Sequence, residues 1–347
     1  MTGETELPSQ SLIIGWSWRD AARLVRREVF TFLPAWMYLV YGCLLLNAEL
    51  TNVEPPRYDL APTVIFPLAV FVMFAAARAF GARDVAERDR PWVFLGSVAI
   101  AVVLPLINLS YHSPSPLTRD GLLLVYEYSN FVWAALLVWH AWRHDRSHVV
   151  LFFGIGLLYG MFLENGGIAM GFFHETNLTR TQVPPFAAPV ATMVGWSVVL
   201  YMSTFVVWKL RSWVPVLQRS TLFSALLVGV LATMLDLQID PIATATGCWV
   251  WHESLPPWFY GVPLVNFVAW VTALTPFAYV MFRVQGLAGL KDGGFWPRRE
   301  LRRLLLWVPG ALLLALVVFL SATVLLEGAA GPSWALMNSF VAKTCGL

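Results

Sequence analysis

The chain alternates between long apolar stretches and short polar connections. A bilayer core about 30 Å thick is crossed by roughly 20 apolar residues in a helix, so each such stretch predicts one transmembrane span. The stretches of suitable length lie at 30–49, 61–81, 92–109, 122–142, 150–173, 187–208, 221–249, 259–282 and 304–326. The pattern therefore predicts an all-α, polytopic transmembrane helix bundle of about nine spans.

The predicted spans divide the chain into four parts. Residues 1–29 form a polar leader, which is too long for a secretory signal peptide and lacks its small-residue cleavage site. We expect the leader to be cytoplasmic and the first helix to be retained. A four-helix membrane segment at 30–145 and a repeat-containing core at 150–282 follow. The last part, 283–347, is predicted to contain a cytoplasmic loop, the last span and an outer tail.

The positions of Lys and Arg predict the orientation of the bundle, because cytoplasmic loops of membrane proteins are enriched in these residues. With the N-terminus inside, 19 of the 23 Lys and Arg residues fall on the inside. The four outside are Arg57, Arg119, Arg180 and Lys343. We therefore predict a multi-pass protein of the cell membrane, N-in and C-out. Its predicted outer loops are 50–60, 110–121, 174–186 and 250–258.

Composition agrees with a membrane protein and argues against several other classes. Only 13% of the residues are charged, against about 25% in a soluble domain. The net charge of +2 and the lack of a free basic run argue against a nucleic-acid partner. Cys43, Cys248 and Cys345 lie far apart, so neither a disulfide framework nor a zinc site is predicted. The chain has no phosphate loop and no Asp-rich diphosphate motif, which argues against nucleotide-driven pumps and prenyltransferases.

Two predicted outer loops resemble each other in the order of their residues. Each copy contains His-Glu, Pro-Pro, a further Pro and a Trp, in that order. In the first copy they begin at His174, Pro184, Pro189 and Trp196. In the second copy they begin at His252, Pro256, Pro263 and Trp270. An acidic residue, Glu164 or Asp236, lies in the span before each copy. Both copies begin inside, so the repeat is predicted to be parallel, unlike the inverted repeats of many transporters. The alternative, a favoured helix-ending turn that occurs twice, stays open.

Carboxylates inside the predicted spans are the first candidates for chemistry, because buried charges in a membrane are costly and usually functional. Asp236 and Asp240 are four residues apart and share one helix face. Two carboxyl groups in one apolar site tend to share a proton, so this pair can act as an acid. Pro241 is expected to kink the helix and to create a polar pocket. Glu164 is followed by Asn-Gly-Gly, which permits close approach, whereas Glu127 is interpreted as an interfacial carboxylate.

Aromatic and histidine residues surround these acids in the sequence. Five aromatic residues lie at and after the end of the seventh span: Trp249, Trp251, Trp258, Phe259 and Tyr260. They can line a site for a flat polyene or a carbocation, or they can belong to an ordinary interfacial belt. His174 and His252 favour acid–base or hydrogen-bonding roles over a metal site, because neither loop contains a third histidine or an HExxH motif.

The region at about 150–282 carries three recognisable motifs. They are Asp-x3-Asp-Pro from Asp236, Trp-x-Trp from Trp249, and Tyr-Gly-Val-Pro-x2-Asn-Phe from Tyr260, followed by Trp270. This set resembles the integral-membrane carotenoid biosynthesis protein family. The best-known members of that family are hydratases that act on the acyclic end of gamma-carotene or on bisanhydrobacterioruberin. The segment from Glu164 to Trp196 is similar to the family's upstream acidic-glycine segment but looser.

The resemblance implies that water is added across the terminal double bond of an acyclic carotenoid end, through a tertiary carbocation. Asp236 or Asp240 would donate the proton, and the other carboxylate with Glu164 would hold the water. The implied substrate-binding residues are Trp249, Trp251, Tyr260, Asn266, Trp270, Trp196, His174 and His252. Asn266 among them would orient the water. The reaction requires no redox cofactor and no metal, and the site is expected toward the outer leaflet.

Two other classes of protein stay open. The first is a non-catalytic carotenoid-binding or assembly subunit of a membrane pigment complex, which would use the same aromatic cleft without chemistry. The second is a transporter or proton-coupled channel, which would require water access from both sides. The expected partners of the protein are a lipid-soluble carotenoid substrate and the lipid bilayer. Other membrane biosynthetic or pigment-complex subunits stay open as partners.

Overall fold

The computed structural model describes most of the chain from residue 119 onward and one helix before it. The described ranges are 32–53, 119–175, 180–211, 214–288 and 298–346, with five helical positions at 68, 69, 99, 103 and 106. The predicted leader 1–29 lies outside them. So do the predicted spans 61–81 and 92–109, apart from those five positions. Within the described ranges the protein is mainly helical.

The helices follow one another with short connections. The first are α1 (Leu33–Asn52), α2 (Arg119–His144) and α3 (Arg146–Ala169), which contains a π-helical stretch at Val149–Ile155. The next are α4 (Val190–Arg211), the short α5 (Pro215–Arg219) and α6 (Thr221–Thr246). The last are α7 (Leu264–Ala288), α8 (Arg298–Glu327) and α9 (Pro332–Cys345).

Five of the described helices are long and apolar enough to cross a membrane. They are Arg146–Ala169, Val190–Arg211, Thr221–Thr246, Leu264–Val284 and Arg302–Glu327, which coincide with the last five predicted spans. Helices also occur at the predicted spans 30–49 and 122–142. The apolar part of α1 is short, Leu33–Leu46, and α2 contains the polar run Tyr-Glu-Tyr-Ser-Asn. The total number of spans and their orientation stay predictions.

Helix α6 lies at the centre of the bundle. It packs along α7 and also contacts α4 and α1, while α2 and α3 pack against α4. Helix α8 packs on α7 at the outside of this group, and its residues Leu306 and Leu325 are 70% and 85% exposed. An exposed apolar helix surface of this kind is suited to contact with lipid.

Two short antiparallel strand pairs connect the helix ends. Strand β1 (Phe173–Glu175) follows α3 and pairs with β2 (Trp249–Trp251), which follows α6. Strands β3 (Pro257–Phe259) and β4 (Val262–Pro263) form the second pair. The first pair joins the ends of the two helices that carry the predicted acids. That the two loops are copies of one repeat stays a prediction.

Helices α3 and α6 end earlier than the spans predicted from hydropathy. Gly171 and Gly247 have φ values of 80° and 68°, which lie in the left-handed region that commonly ends a helix. The apolar residues after them, among them Phe173 and Trp249, belong to the strands instead. Hydropathy alone does not distinguish an apolar strand from the last turn of an apolar helix.

The tail after the last predicted span contains α9, which folds back onto the bundle. The Glu327 carboxylate accepts hydrogen bonds from the Ser333 backbone N–H at 3.0 Å and from Ser333 Oγ at 2.9 Å, which fixes the turn between α8 and α9. Met337 then packs with Phe172 and Leu255. The C-terminal helix therefore covers the part of the bundle that adjoins β1 and β2.

Gly160 marks a close approach between α3 and α4. A Cβ atom at this position would lie 2.5 Å from Trp196 Cβ, a separation that real Cβ contacts do not show. We expect Gly160→Ala to displace α4 and to lower the free energy of unfolding by about 1–3 kcal/mol. The thermal midpoint in detergent measures this effect. Gly154→Ala on the same helix is the control, since its Cβ would meet no described atom within 4 Å. Equal shifts for the two variants would contradict the close approach.

Candidate functional site

A cavity of about 570 Å³ lies between the helices. Its walls come from α1 to α4, α6 to α9 and the two strands β1 and β2. The lining is mainly apolar and aromatic, and it contains a small number of polar side chains, among them Glu164, Asp240, Asn266 and Asn130. An apolar cavity with a few converging polar groups is the usual form of a small-molecule site.

Asp236 and Asp240 lie one turn apart on α6, and both are buried. A single amide on α7 binds them. Asn266 Nδ2 donates a hydrogen bond to Asp236 Oδ2 at 2.9 Å and another to Asp240 Oδ2. Asp240 lines the cavity, whereas Asp236 does not. Helix α6 contains no Lys or Arg, so the amide, rather than a cation on the same helix, stabilises the pair.

Glu164 on α3 lines the same cavity and is 7% exposed. Its Oε2 accepts a hydrogen bond of 2.6 Å from Trp196 Nε1 on α4. The Trp196 ring stacks on that of Trp270, with centroids 4.3 Å apart and planes at 17°. Trp270 follows Asn266 by one turn of α7. A connected set of side chains thus runs from Glu164, through two stacked indoles, to the amide that binds the aspartates.

Glu164 and Asp240 occupy corresponding positions on their helices. Each stands seven residues before the left-handed glycine that ends its helix, Gly171 or Gly247. The internal repeat predicted from the sequence pairs Glu164 with Asp236 instead. Because β1 and β2 pair directly after those glycines, the two carboxyl groups lie at similar positions along α3 and α6 and line one cavity.

Strand β2 contributes two indoles to the cavity wall, Trp249 and Trp251. Trp251 Nε1 donates a hydrogen bond of 3.0 Å to Thr244 Oγ1, and its ring lies 5.3 Å from that of Phe173. The Trp249 ring lies 6.3 Å from the ring of Tyr126 on α2. Together with the stacked indoles of α4 and α7, these rings give the cavity large aromatic faces.

Three of the predicted substrate-binding residues are not among those that line the cavity: His174, His252 and Tyr260. Both histidines are exposed, and His252 Nδ1 lies 2.9 Å from Ser254 Oγ. Tyr260 has a φ of 49° and packs edge-on against Phe259. No group of three or more His, Cys, Asp or Glu among the described residues could hold a metal ion. Substrate-binding roles for these three residues stay predictions.

Glu127 was interpreted as an interfacial carboxylate, but the structure buries it completely. Its Oε1 accepts hydrogen bonds from the Thr181 backbone N–H at 2.6 Å and from Thr181 Oγ1 at 2.7 Å. Arg180 Nη1 lies 3.8 Å from Oε2. The loop before α4 therefore folds over Glu127, which attaches that loop to α2.

Several side chains of the cavity wall were not predicted from the sequence. Tyr126 and Asn130 line it from α2, and Leu313, Phe319 and Phe340 line it from α8 and α9. Their four-residue spacing places Tyr126 and Asn130 on one face of α2, a signal that the sequence does contain. The start of α9 is signalled by Gly-Pro-Ser before an apolar run. That these helices close one cavity depends on long-range packing.

Comparison with known proteins identifies the family. The family described as carotenoid biosynthesis protein matches residues 124–337. This match covers more than half of the chain, and the protein belongs to this family. It confirms the resemblance and extends beyond 150–282 to include most of α2 and all of α8. Searches of curated proteins and of solved structures gave no significant match.

Because the Asn266 amide donates hydrogen bonds to both aspartates, its removal is predicted to destabilise the protein. Asn266→Ala leaves two buried carboxyl groups without their donor, so we expect the free energy of unfolding in detergent to fall by about 1–3 kcal/mol. In an Asp236→Leu/Asp240→Leu background the same change should cost much less, because the groups that need the donor are gone. An equal cost in both backgrounds would contradict the proposed support of the pair by Asn266.

Proposed function

We propose that the protein is a membrane carotenoid hydratase that adds water to the terminal double bond of an acyclic carotenoid end. One observation carries the proposal: two carboxyl groups, held by one amide, adjoin an apolar and aromatic cavity in a member of the carotenoid biosynthesis family. The apolar lining suits a polyene. The carboxyl pair is the kind of acid that an alkene needs.

Asp240 is the proposed proton donor because it lines the cavity. Two carboxyl groups that share an apolar site hold one proton between them, since two adjacent negative charges are unfavourable there. Asp236 shares this proton from the next turn, while Asn266 binds one oxygen of each group. Transfer of the proton to the CH carbon of the terminal double bond leaves a tertiary carbocation on the neighbouring carbon.

The surrounding residues are suited to stabilise that cation. Aromatic faces attract positive charge, and Trp249 and Trp251 line the cavity, as do the stacked Trp196 and Trp270. Glu164 adds a carboxyl group whose position is fixed by Trp196, so its charge would need no rearrangement during the reaction. Water then adds to the cation and transfers a proton to a carboxylate. This step restores the acid and gives a tertiary alcohol.

The shape of the cavity favours a substrate that enters from the lipid. Phe162 on α3 and Leu313 on α8 line the cavity and are 59% and 63% exposed. A polyene could place its reacting end inside while the rest of its chain extends between these helices into the bilayer. In the predicted orientation, Glu164 and Asp240 lie near the helix ends that lead to the outer loops. We therefore place the site toward the outer leaflet.

The reaction can be tested in a bacterium that makes lycopene or gamma-carotene. With the wild-type protein we expect a pigment heavier by one water, detected by mass spectrometry of extracts. Asp240→Asn should abolish this product, and Asp236→Asn should reduce it by at least about tenfold. Asp120→Asn is the control, because Asp120 is exposed in the first turn of α2.

Other outcomes would contradict the proposal. Wild-type protein that co-purifies with unchanged pigment would favour the non-catalytic binding or assembly subunit. Hydration that survives in Asp236→Asn/Asp240→Asn would contradict the assignment of the acid. Equal protein levels of all variants in the membrane, measured by immunoblotting, are required for either comparison.

A further inference from the structure

Trp249 carries a buried polar group that the mechanism above does not use. Its Nε1 has no hydrogen-bond partner among the described residues. The side chain is only 6% exposed and lines the cavity. Buried N–H groups nearly always have an acceptor, because an unpaired one loses its hydration without compensation. The missing acceptor is therefore expected to belong to a molecule that occupies the cavity.

The backbone that carries Trp249 is held in place by a helix end and by a strand pair. The left-handed Gly247 ends α6, and the Cys248 backbone N–H donates a hydrogen bond of 2.7 Å to Ala243 O. Trp249 then pairs with Glu175 across β1 and β2. The position of the indole is set by a helix end and by a strand pair.

Trp251 provides a comparison within the same wall. It lies two residues further along β2 and lines the same cavity. Its N–H is already used, since Nε1 donates to Thr244 Oγ1. Both residues line the cavity, but of the two only Trp249 has an N–H without a hydrogen-bond partner among the described residues. The two residues are therefore expected to differ in whether their N–H can donate a hydrogen bond to a bound molecule.

The acceptor for Trp249 must be an oxygen or a similar polar atom. A hydrocarbon polyene offers no such atom, whereas the water that adds to it does. A bound water needs two to four polar partners. Carboxyl groups of Asp240 and Glu164 line the same cavity and can accept the hydrogens of a water, and Trp249 supplies a donor.

We infer that the Trp249 N–H positions the water that captures the carbocation; this inference rests on the proposed hydratase function. One lone pair of the water oxygen accepts the hydrogen bond from Nε1. The other lone pair forms the new C–O bond, and one O–H proton passes to a carboxylate. Without this donor the cation is captured more slowly. It then loses a proton from carbon and returns to an alkene.

Solvent deuterium distinguishes these two fates of the cation. Membranes that contain each variant are incubated in D2O with lycopene in phospholipid vesicles, and products and recovered lycopene are analysed by mass spectrometry. Capture by water gives the hydrated product, whereas loss of a proton returns lycopene that contains deuterium. We expect Trp249→Phe to raise the ratio of deuterated lycopene to hydrated product by about tenfold.

Three further variants make the result interpretable. Trp251→Phe should leave the ratio unchanged, even where total turnover falls, because its N–H is already bound to Thr244 Oγ1. Trp249→His restores an N–H donor and should recover part of the wild-type ratio. Asp240→Asn should show neither hydration nor exchange, because the cation does not form.

Three outcomes would overturn the inference, and they are distinguishable. If the wild type hydrates lycopene and Trp249→Phe keeps the wild-type ratio, the role of Trp249 is wrong while the hydratase function stands. If the wild type neither hydrates nor exchanges, the proposed function fails and the inference fails with it. A ratio that rises equally in Trp249→Phe and Trp251→Phe would assign the effect to lost packing.

Discussion

The burial of two carboxyl groups one helical turn apart is the constraint on which the rest of this structure depends. Carboxyl groups in an apolar bundle are unfavourable unless they are hydrogen-bonded or paired. Asn266 meets this requirement by donating hydrogen bonds to both Asp236 and Asp240. These bonds fix the rotation of α7 about its axis and its position along α6. Gly229 allows the contact, because a Cβ there would lie 2.6 Å from Thr275 Oγ1.

The same rotation of α7 positions the aromatic part of the site. Trp270 lies one turn from Asn266 and therefore meets Trp196 of α4, whose indole N–H binds Glu164. Helix α4 can come this close to α3 only because Gly160 has no side chain. The two helix pairs, α3 with α4 and α6 with α7, thus meet at the stacked indoles. A displacement of either helix pair would therefore also move the carboxyl groups on the other pair.

The helices and the acids could be predicted from the sequence because each depends on local pattern. Long apolar runs predicted α3, α4, α6, α7 and α8, and charge inside an apolar run identified Glu164, Asp236 and Asp240. Properties that depend on distant contacts could not be predicted in this way. The burial of Glu127 by Thr181 and the cavity wall formed by α8 and α9 result from packing between segments far apart in sequence. The two His-Glu pairs were conspicuous in sequence, but both histidines are exposed.

The outcome of an acid-generated cation depends on what else the cavity contains. A site with only carboxyl groups and aromatic faces would form the cation and return it to an alkene, since proton loss is the simplest reverse step. Hydration requires a water in a fixed place, within a wall that excludes other water. The first condition is met if the Trp249 N–H, which is buried without a hydrogen-bond partner among the described residues, selects that place. Under the proposed function, few changes in this wall would separate an isomerase from a hydratase.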